Sequence, residues 1–299
     1  MFSGIFLGFI TIVFSIGSAE KKSIFSFSKK FLKKSTIYPY LIKNVRIFME
    51  RNSKTIIKQF FEKYNIVYTD NDVQKFEKLT EMLTEFNSHT NVTAIKDPYD
   101  IAVKHYIDSM YGLCGNLIEK GSNIIDIGCG AGFPGLPIAI MRNDVNVTFV
   151  DSTEKKLRFT RQVSDAFGLC AQVIPARAEE LAFDEKYREK FDVAVSRAVA
   201  GLPILCELVL PFVKPGGKFI AYKRKQAGNT DDPQSEIFEA RFAIEKLGGK
   251  LKQVKASPID EYYGGTGDTE DHCLIIIEKI KNLSTNYPRR YAQILKKPL

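Results

Sequence analysis

From Ser53 onward, apolar residues recur at helical spacing, with Ile56, Ile57, Phe60, Phe61 and Tyr64 on one stripe. Asp70 and Asp72 offer N-caps for a second helix, on which Val73, Phe76, Leu79, Leu83 and Phe86 share a face. A polar connection from Asn87 to Pro98 leads to a third helical stretch through His105 and Leu113. Near residue 123 the rhythm changes. Short apolar runs at 123–127, 145–150, 171–174, 192–195, 218–222 and 274–277 read as strands. Helical segments separate them. One begins near Pro134, where the missing N–H costs nothing. A second covers 153–167, with Leu157, Thr160, Val163 and Phe167 on one side and Gly168 closing it. Two more run over about 202–210 and over 234–247, the last closed by Gly248-Gly249. Lys214-Pro215-Gly216-Gly217 places Pro and Gly where a type II turn needs them. This alternation predicts an α/β chain: a doubly wound, mostly parallel, Rossmann-like sheet with helices on both faces and an N-terminal helical cap.

The expected organisation is a leader or upstream extension at 1–48, a helical cap at 49–120, a cofactor-binding domain at 121–280 and a basic tail at 281–299. Residues 2–17 are a nearly unbroken apolar run, short for a membrane span and about right for a signal core, although no positive charge precedes it. A secretory signal, a two-part organelle leader, a membrane anchor and an extension ahead of a start at Met49 all remain open. The Met49 start is favoured because the folded pattern begins just after it, and it implies a cytoplasmic protein; the leader reading implies an organelle.

Charge changes the picture less than its total suggests. The net charge is +8, but residues 1–48 hold eight basic residues against Glu20 alone. Lys279, Lys281, Arg289, Arg290, Lys296 and Lys297 form an acid-free tail, which leaves a mildly acidic body between. Such a tail suits contact with a polyanion, or is merely solvated. The five cysteines show no Cys-x-x-Cys or Cys/His spacing, and the three histidines are scattered, so neither a disulfide framework nor a metal site is indicated. No stable membrane partner is expected, and the chain is expected to be a monomer.

The candidate chemistry begins at Asp126-Ile127-Gly128-Cys129-Gly130-Ala131-Gly132-Phe133-Pro134-Gly135, between the first strand of the alternating region and the next helix. Glycines let a backbone turn tightly and approach a ligand closely. The spacing is Gly-x-Gly-x-Gly, not the longer fingerprint of dinucleotide binders, and Phe133-Pro134 occupies the place of a phosphate-facing helix start. This favours S-adenosylmethionine over a nicotinamide dinucleotide; a purely structural tight turn is the bland alternative. Asp151, at the end of the next strand, can accept ribose hydroxyls or simply cap the following helix. Arg177-Ala178-Glu179-Glu180 follows the third strand, where an adenine usually lies. Ser196-Arg197-Ala198 ends the fourth strand, and an Arg there is a candidate for cofactor or substrate contact.

At these residues the chain resembles the small-subunit ribosomal RNA guanine-N7 methyltransferases, the glucose-inhibited division protein B family. The stretches that carry the resemblance are Asn91-Val92-Thr93-Ala94-Ile95, Lys104-His105-Tyr106-Ile107-Asp108-Ser109, the glycine loop, Val150-Asp151-Ser152, Arg158-Phe159, Arg177-Ala178-Glu179, Ser196-Arg197-Ala198-Val199-Ala200, Leu210-Pro211, Pro215-Gly216-Gly217 and the Tyr287-Pro288-Arg289 tail. They run in order from about Met49 to the C-terminus. The resemblance implies a class I methyltransferase fold, cytoplasmic action on a guanine of 16S rRNA, and S-adenosylmethionine contacts at Gly128, Phe133, Ala178, Glu179 and Arg197 with Asp151 and Ser152 beside them. His105 and Asp108 would line the entrance or merely pack. Two features depart from the family: residues 1–48 have no counterpart, and Arg290–Leu295 replaces a Lys-Pro-Gly-Thr-Pro-like run. A nicotinamide-dependent dehydrogenase, a catalytically silent RNA-binding protein and a methyltransferase with another substrate are the rivals. The glycine spacing opposes the first and the cofactor loop the second.

Overall fold

In the computed structural model, which describes residues 52–299 except 233 and 264–271, helix α1 (Ser53–Lys63) starts where Asn52 Oδ1 accepts the Thr55 N–H at 3.1 Å. The readings of residues 1–48 lie outside the described residues. Helix α2 (Asp70–Thr90) is capped not by Asp70 or Asp72 but by Thr69. Thr69 Oγ1 accepts the Asp72 N–H at 3.3 Å, and the Asp72 carboxylate accepts the Thr69 N–H at 2.9 Å. Asp72 therefore completes a capping box from inside the helix. A third helix, α3 (98–110), starts as α-helix at Pro98–Ile101, passes through a π-helical turn at Ala102–Ile107 and ends as α-helix at Asp108–Met110.

The sheet follows. Strands β1 (Asn123–Ile127), β2 (Asn146–Asp151), β3 (Ala171–Pro175), β4 (Phe191–Arg197) and β5 (Val213–Arg224) are parallel. They alternate with α4 (Gly135–Met141), α5 (Glu154–Phe167), α6 (Ala178–Leu181) and α7 (Leu202–Val209). The segment expected as one helix at 234–247 is two, α8 (Glu236–Glu239) and α9 (Arg241–Lys246), broken at Ala240. Strands β6 (Gly249–Ala256) and β7 (His272–Lys279) then complete a seven-stranded sheet of order β3-β2-β1-β4-β5-β7-β6, with β7 antiparallel to both its neighbours. A short helix, α10 (Tyr291–Lys296), ends the tail. Periodicity missed β6 because it is an edge strand carrying Lys250, Lys252 and Lys255, the polar composition by which edges avoid further pairing.

Successive residues of a strand point to opposite faces, so a sheet covered on both sides needs apolar residues at adjacent positions. Leu274 and Ile276 of β7 pack with α1–α3 and α5, whereas Cys273, Ile275 and Ile277 pack with α7 and α9. The three cap helices thus bury Phe60, Phe61, Phe76 and Tyr106 in the same core as Phe149 and Phe159 of the alternating region. Residues Asn52–Leu299 form one compact unit.

The topology positions a site. From β1 the chain winds outward to β2 and β3, then returns to place β4 on the other side of β1. Their carboxyl ends form the switch point where open α/β sheets bind ligands.

Candidate active site at the carboxyl ends of β1 and β4

The glycine loop leaves β1 at Asp126, whose side chain is fully buried. One carboxylate oxygen accepts the Gly135 N–H at 2.8 Å, and the other has no partner among the described residues. A side chain at Gly135 would meet that carboxylate and the Phe149 ring, so the loop's far end must be glycine to close on β1. Gly130 adopts φ +57°, a left-handed conformation, and an added Cβ would have only Lys156 Cδ, at 3.9 Å, within contact range. Its N–H donates to Asp151 Oδ2 at 2.9 Å, while Asp151 Oδ1 accepts the Thr153 N–H at 2.8 Å. Asp151 therefore braces the loop and the entry to α5 together, and each oxygen keeps lone-pair capacity toward the open side. Gly128 lies under the Val199 side chain from the loop after β4. That loop is held by Ser196 Oγ donating to the Ile127 carbonyl at 2.8 Å and by Lys223 Nζ donating to the Ala200 carbonyl at 2.8 Å. Ala198 holds φ +56° within it, strained for a residue with a Cβ.

Burial drives the Asp126 carboxyl up from its ordinary 3.8 to about 7. An acid whose pKa is higher in the folded chain holds its proton more tightly there, so stability falls as pH rises from about 4 toward 7. Thermal melts of Asp126→Asn and wild type across that window are expected to diverge, the wild type losing stability with a slope approaching about 1.4 kcal/mol per pH unit relative to the variant. Parallel profiles would show that the buried carboxyl does not titrate there.

Arg197, at the end of β4, is the centre of a side-chain cluster. Its Nη1 donates to the Lys104 carbonyl and to Asp108 Oδ2, each at 2.9 Å, and its Nη2 lies 3.2 Å from His105 Nδ1. His105 Nε2 is 2.9 Å from Thr93 Oγ1, and the imidazole stacks on Phe133 with ring centroids 4.6 Å apart and planes 11° from parallel. Burial, with the nearby Arg197 cation, holds His105 neutral by lowering its pKa to about 3. A neutral ring accepting Arg197 at Nδ1 donates from Nε2 to Thr93. Asp108 is 1% exposed and also faces His272 Nδ1 at 3.3 Å and Ser257 Oγ at 3.4 Å. Burial alone would raise its pKa, but His272 and Arg197 outweigh it and keep the carboxyl below its ordinary value. The π-helical turn that carries Lys104 and His105 is a rare form enriched at functional sites.

The expected site residues are thus placed as follows. Gly128, Phe133, Asp151 and Arg197 stand along adjoining strand ends of β1, β2 and β4, with Ser152 exposed beside Asp151. Ala178 and Glu179 open α6 after β3, on the outer side of that row, with Glu179 3.7 Å from the exposed Arg177. Reading by spacing missed Thr93, Lys104 and His272 as site neighbours and left Asp108 undecided. The available signal was Asp108 itself, an acid among the buried Tyr106, Ile107, Ser109 and Met110. Two of the three scattered histidines, His105 and His272, converge on one Arg–Asp pair.

The basic tail requires a correction. Arg289 is not free for a polyanion: its Nε and Nη2 fork onto the fully buried Glu207 at 2.6 to 3.2 Å. Lys279 is buried, donating to the Leu210 carbonyl at 2.9 Å, and its pKa falls to about 8, chiefly through burial. Lys281, Arg290, Lys296 and Lys297 remain exposed.

A glycine loop at the β1–β4 switch point, an acid ending β2 and a β7 that runs antiparallel between β5 and the edge strand β6 define a class I methyltransferase fold. A solved structure of a candidate O-methyltransferase from Klebsiella pneumoniae shares that fold with a TM-score of 0.50 at 14% identity, over 78% of this chain and all of that one. The family model GidB, described as rRNA small subunit methyltransferase G, matches residues 72–259. Ribosomal RNA small subunit methyltransferase G of Clostridium perfringens is 38% identical over 245 residues, covering 82% of this chain and 98% of the relative. The protein of the same name from Clostridium beijerinckii is 44% identical over 228 residues, covering 76% and 90%. The chain belongs to the rRNA small subunit methyltransferase G family. No helix among the described residues is long and apolar enough to cross a membrane.

Proposed function

We propose that this chain methylates N7 of a guanine in small-subunit (16S) ribosomal RNA, with S-adenosylmethionine as methyl donor. The observation that carries the reading is the convergence of the glycine loop with the Arg197 cluster at one switch point, in a chain of this family. The residues present fit the cofactor. Gly130 leaves an open approach, the Asp151 carboxylate keeps acceptor capacity for ribose hydroxyls, and the Asp126 oxygen without a partner is available to an ammonium or a water. Gly128, Phe133, Ala178, Glu179 and Ser152 complete the proposed contacts. When bound, S-adenosylmethionine supplies an electrophilic methyl group on a sulfonium.

Guanine N7 carries an in-plane lone pair and no proton. It forms the bond to the methyl carbon directly as the carbon–sulfur pair returns to sulfur, so no general base is required. Holding the base in line is then the main catalytic task. Arg197 has two N–H donors, on Nε and Nη2, with no partner among the described residues. In this reading they hold the O6 acceptor beside N7. The cap helices α1–α3 are proposed to border the substrate side of the methyltransferase domain expected at 121–280. The exposed Lys281, Arg290, Lys296 and Lys297 of the 281–299 tail contact RNA phosphates, which makes binding salt-sensitive. The enzyme is proposed to act as a cytoplasmic monomer without a metal.

Mapping N7-methylguanosine in rRNA from cells with and without this gene tests the substrate: loss of one modified guanine is expected on deletion, and restored by the chain. An unchanged map would remove the rRNA assignment. Calorimetry tests the cofactor, with S-adenosylmethionine expected to bind and a nicotinamide dinucleotide not.

A further inference from the structure

The cap helix α3 contributes more than cover to this site. Asp108 reaches from it to Arg197 of β4 at 2.9 Å, to His272 of β7 at 3.3 Å and to Ser257 after β6 at 3.4 Å. A carboxylate this deeply buried is retained at considerable desolvation cost, repaid only by close partners. Packing alone does not call for a charge at this position.

We infer that Asp108 is a positioning residue for methyl transfer: it fixes the Arg197 guanidinium and cancels its charge, so that Arg197 offers hydrogen-bond donors without presenting a net cation to the reaction centre. The inference rests on the proposed methyltransferase function and goes beyond it. Guanidinium is a permanent cation. The reaction centre is also cationic throughout, because positive charge enters on the sulfonium and ends on the N7-methylated purine. An uncompensated Arg197 would repel both. The other ionisable groups nearby do not replace Asp108. His105 is neutral, and the Asp151 carboxylate, held at the end of β2 by the Gly130 and Thr153 N–H groups, makes no hydrogen bond or ion pair with Arg197 among the described residues. Among the described residues Asp126 hydrogen-bonds only to the Gly135 N–H, and burial, by raising its pKa to about 7, leaves it only part-charged. The bond that Arg197 Nη1 donates to the Lys104 carbonyl and the stack of His105 on Phe133 orient the guanidinium but add no charge.

The test compares binding of S-adenosylmethionine, a cation at sulfur, with S-adenosylhomocysteine, its neutral-sulfur product, by calorimetry. In Asp108→Asn, which keeps the shape and removes the charge, S-adenosylmethionine is expected to bind roughly tenfold more weakly while S-adenosylhomocysteine changes little. Turnover should fall at least as far, with little change in KM for RNA. Equal weakening of both ligands, or of neither, overturns the inference. Should Asp108→Asn not fold by circular dichroism, Arg197→Gln decides. Leaving Asp108 with His272 and Ser257 as partners, it is expected to raise the preference for S-adenosylmethionine over S-adenosylhomocysteine about threefold or more, and an unchanged ratio overturns the inference. Wild type measured alongside separates the two levels: failure to bind either ligand would defeat the cofactor assignment, whereas normal binding with an unchanged ratio in the variants defeats only the role of Asp108.

Discussion

Replacing Arg197 by alanine is expected to lower kcat/KM for methyl transfer by about 100-fold, the usual consequence of removing a preorganised charged donor from a reaction centre. The side chain ties three residues of the cap helix α3, Lys104, His105 and Asp108, to the end of β4. Its removal leaves Asp108 with His272 and Ser257 as remaining partners. Breaking a buried pair in this way costs about 3 kcal/mol of stability, a loss that a large α/β unit can sustain with its fold intact. Circular dichroism should therefore match wild type at low temperature while single-turnover methylation of 16S rRNA is slow. Arg197→Lys should recover little, because an ammonium cannot span a carbonyl, a carboxylate and an imidazole with planar fork geometry. Full activity in Arg197→Ala would remove this residue from the site.

Much of the fold was legible because its determinants are local. Ile56–Phe61 and Val73–Phe86 announce helices by spacing, and the apolar runs after Asn123 announce buried parallel strands. The glycine loop is legible for the same reason: its spacing, its Pro and the acid at Asp151 act within a few tens of residues. The edge strand β6 was not legible, because an edge needs lysines more than it needs alternation. The Arg197 cluster was not legible either. Asp108 lies 89 positions from Arg197 and 164 from His272, and spacing cannot report a contact made by sheet topology. The readable trace was a charge in an apolar run, and the same trace marks Glu207 within Leu202–Val209. The tail's cations look alike in sequence, yet Lys279 and Arg289 hold the fold while Lys281, Arg290, Lys296 and Lys297 face solvent.

Arg289→Ala is accordingly expected to act on stability first. Glu207 is fully buried in α7, and Arg289 meets it with its backbone N–H at 2.8 Å as well as with its guanidinium. The alanine variant keeps only the backbone bond and strands a carboxylate in the core, a loss of about 3–5 kcal/mol. For a unit of this size the corresponding fall in Tm is on the order of 10 °C. Replacing both partners, as in Glu207→Met with Arg289→Met, should restore most of it, since an apolar pair of similar volume avoids the desolvation cost. Arg290→Ala and Lys296→Ala should behave in the opposite way, leaving Tm unchanged and each reducing the salt dependence of RNA binding by about one unit of slope. If instead Arg289→Ala melts like wild type and loses RNA affinity, the ion pair with Glu207 does not hold the tail, and Arg289 belongs with the phosphate contacts after all.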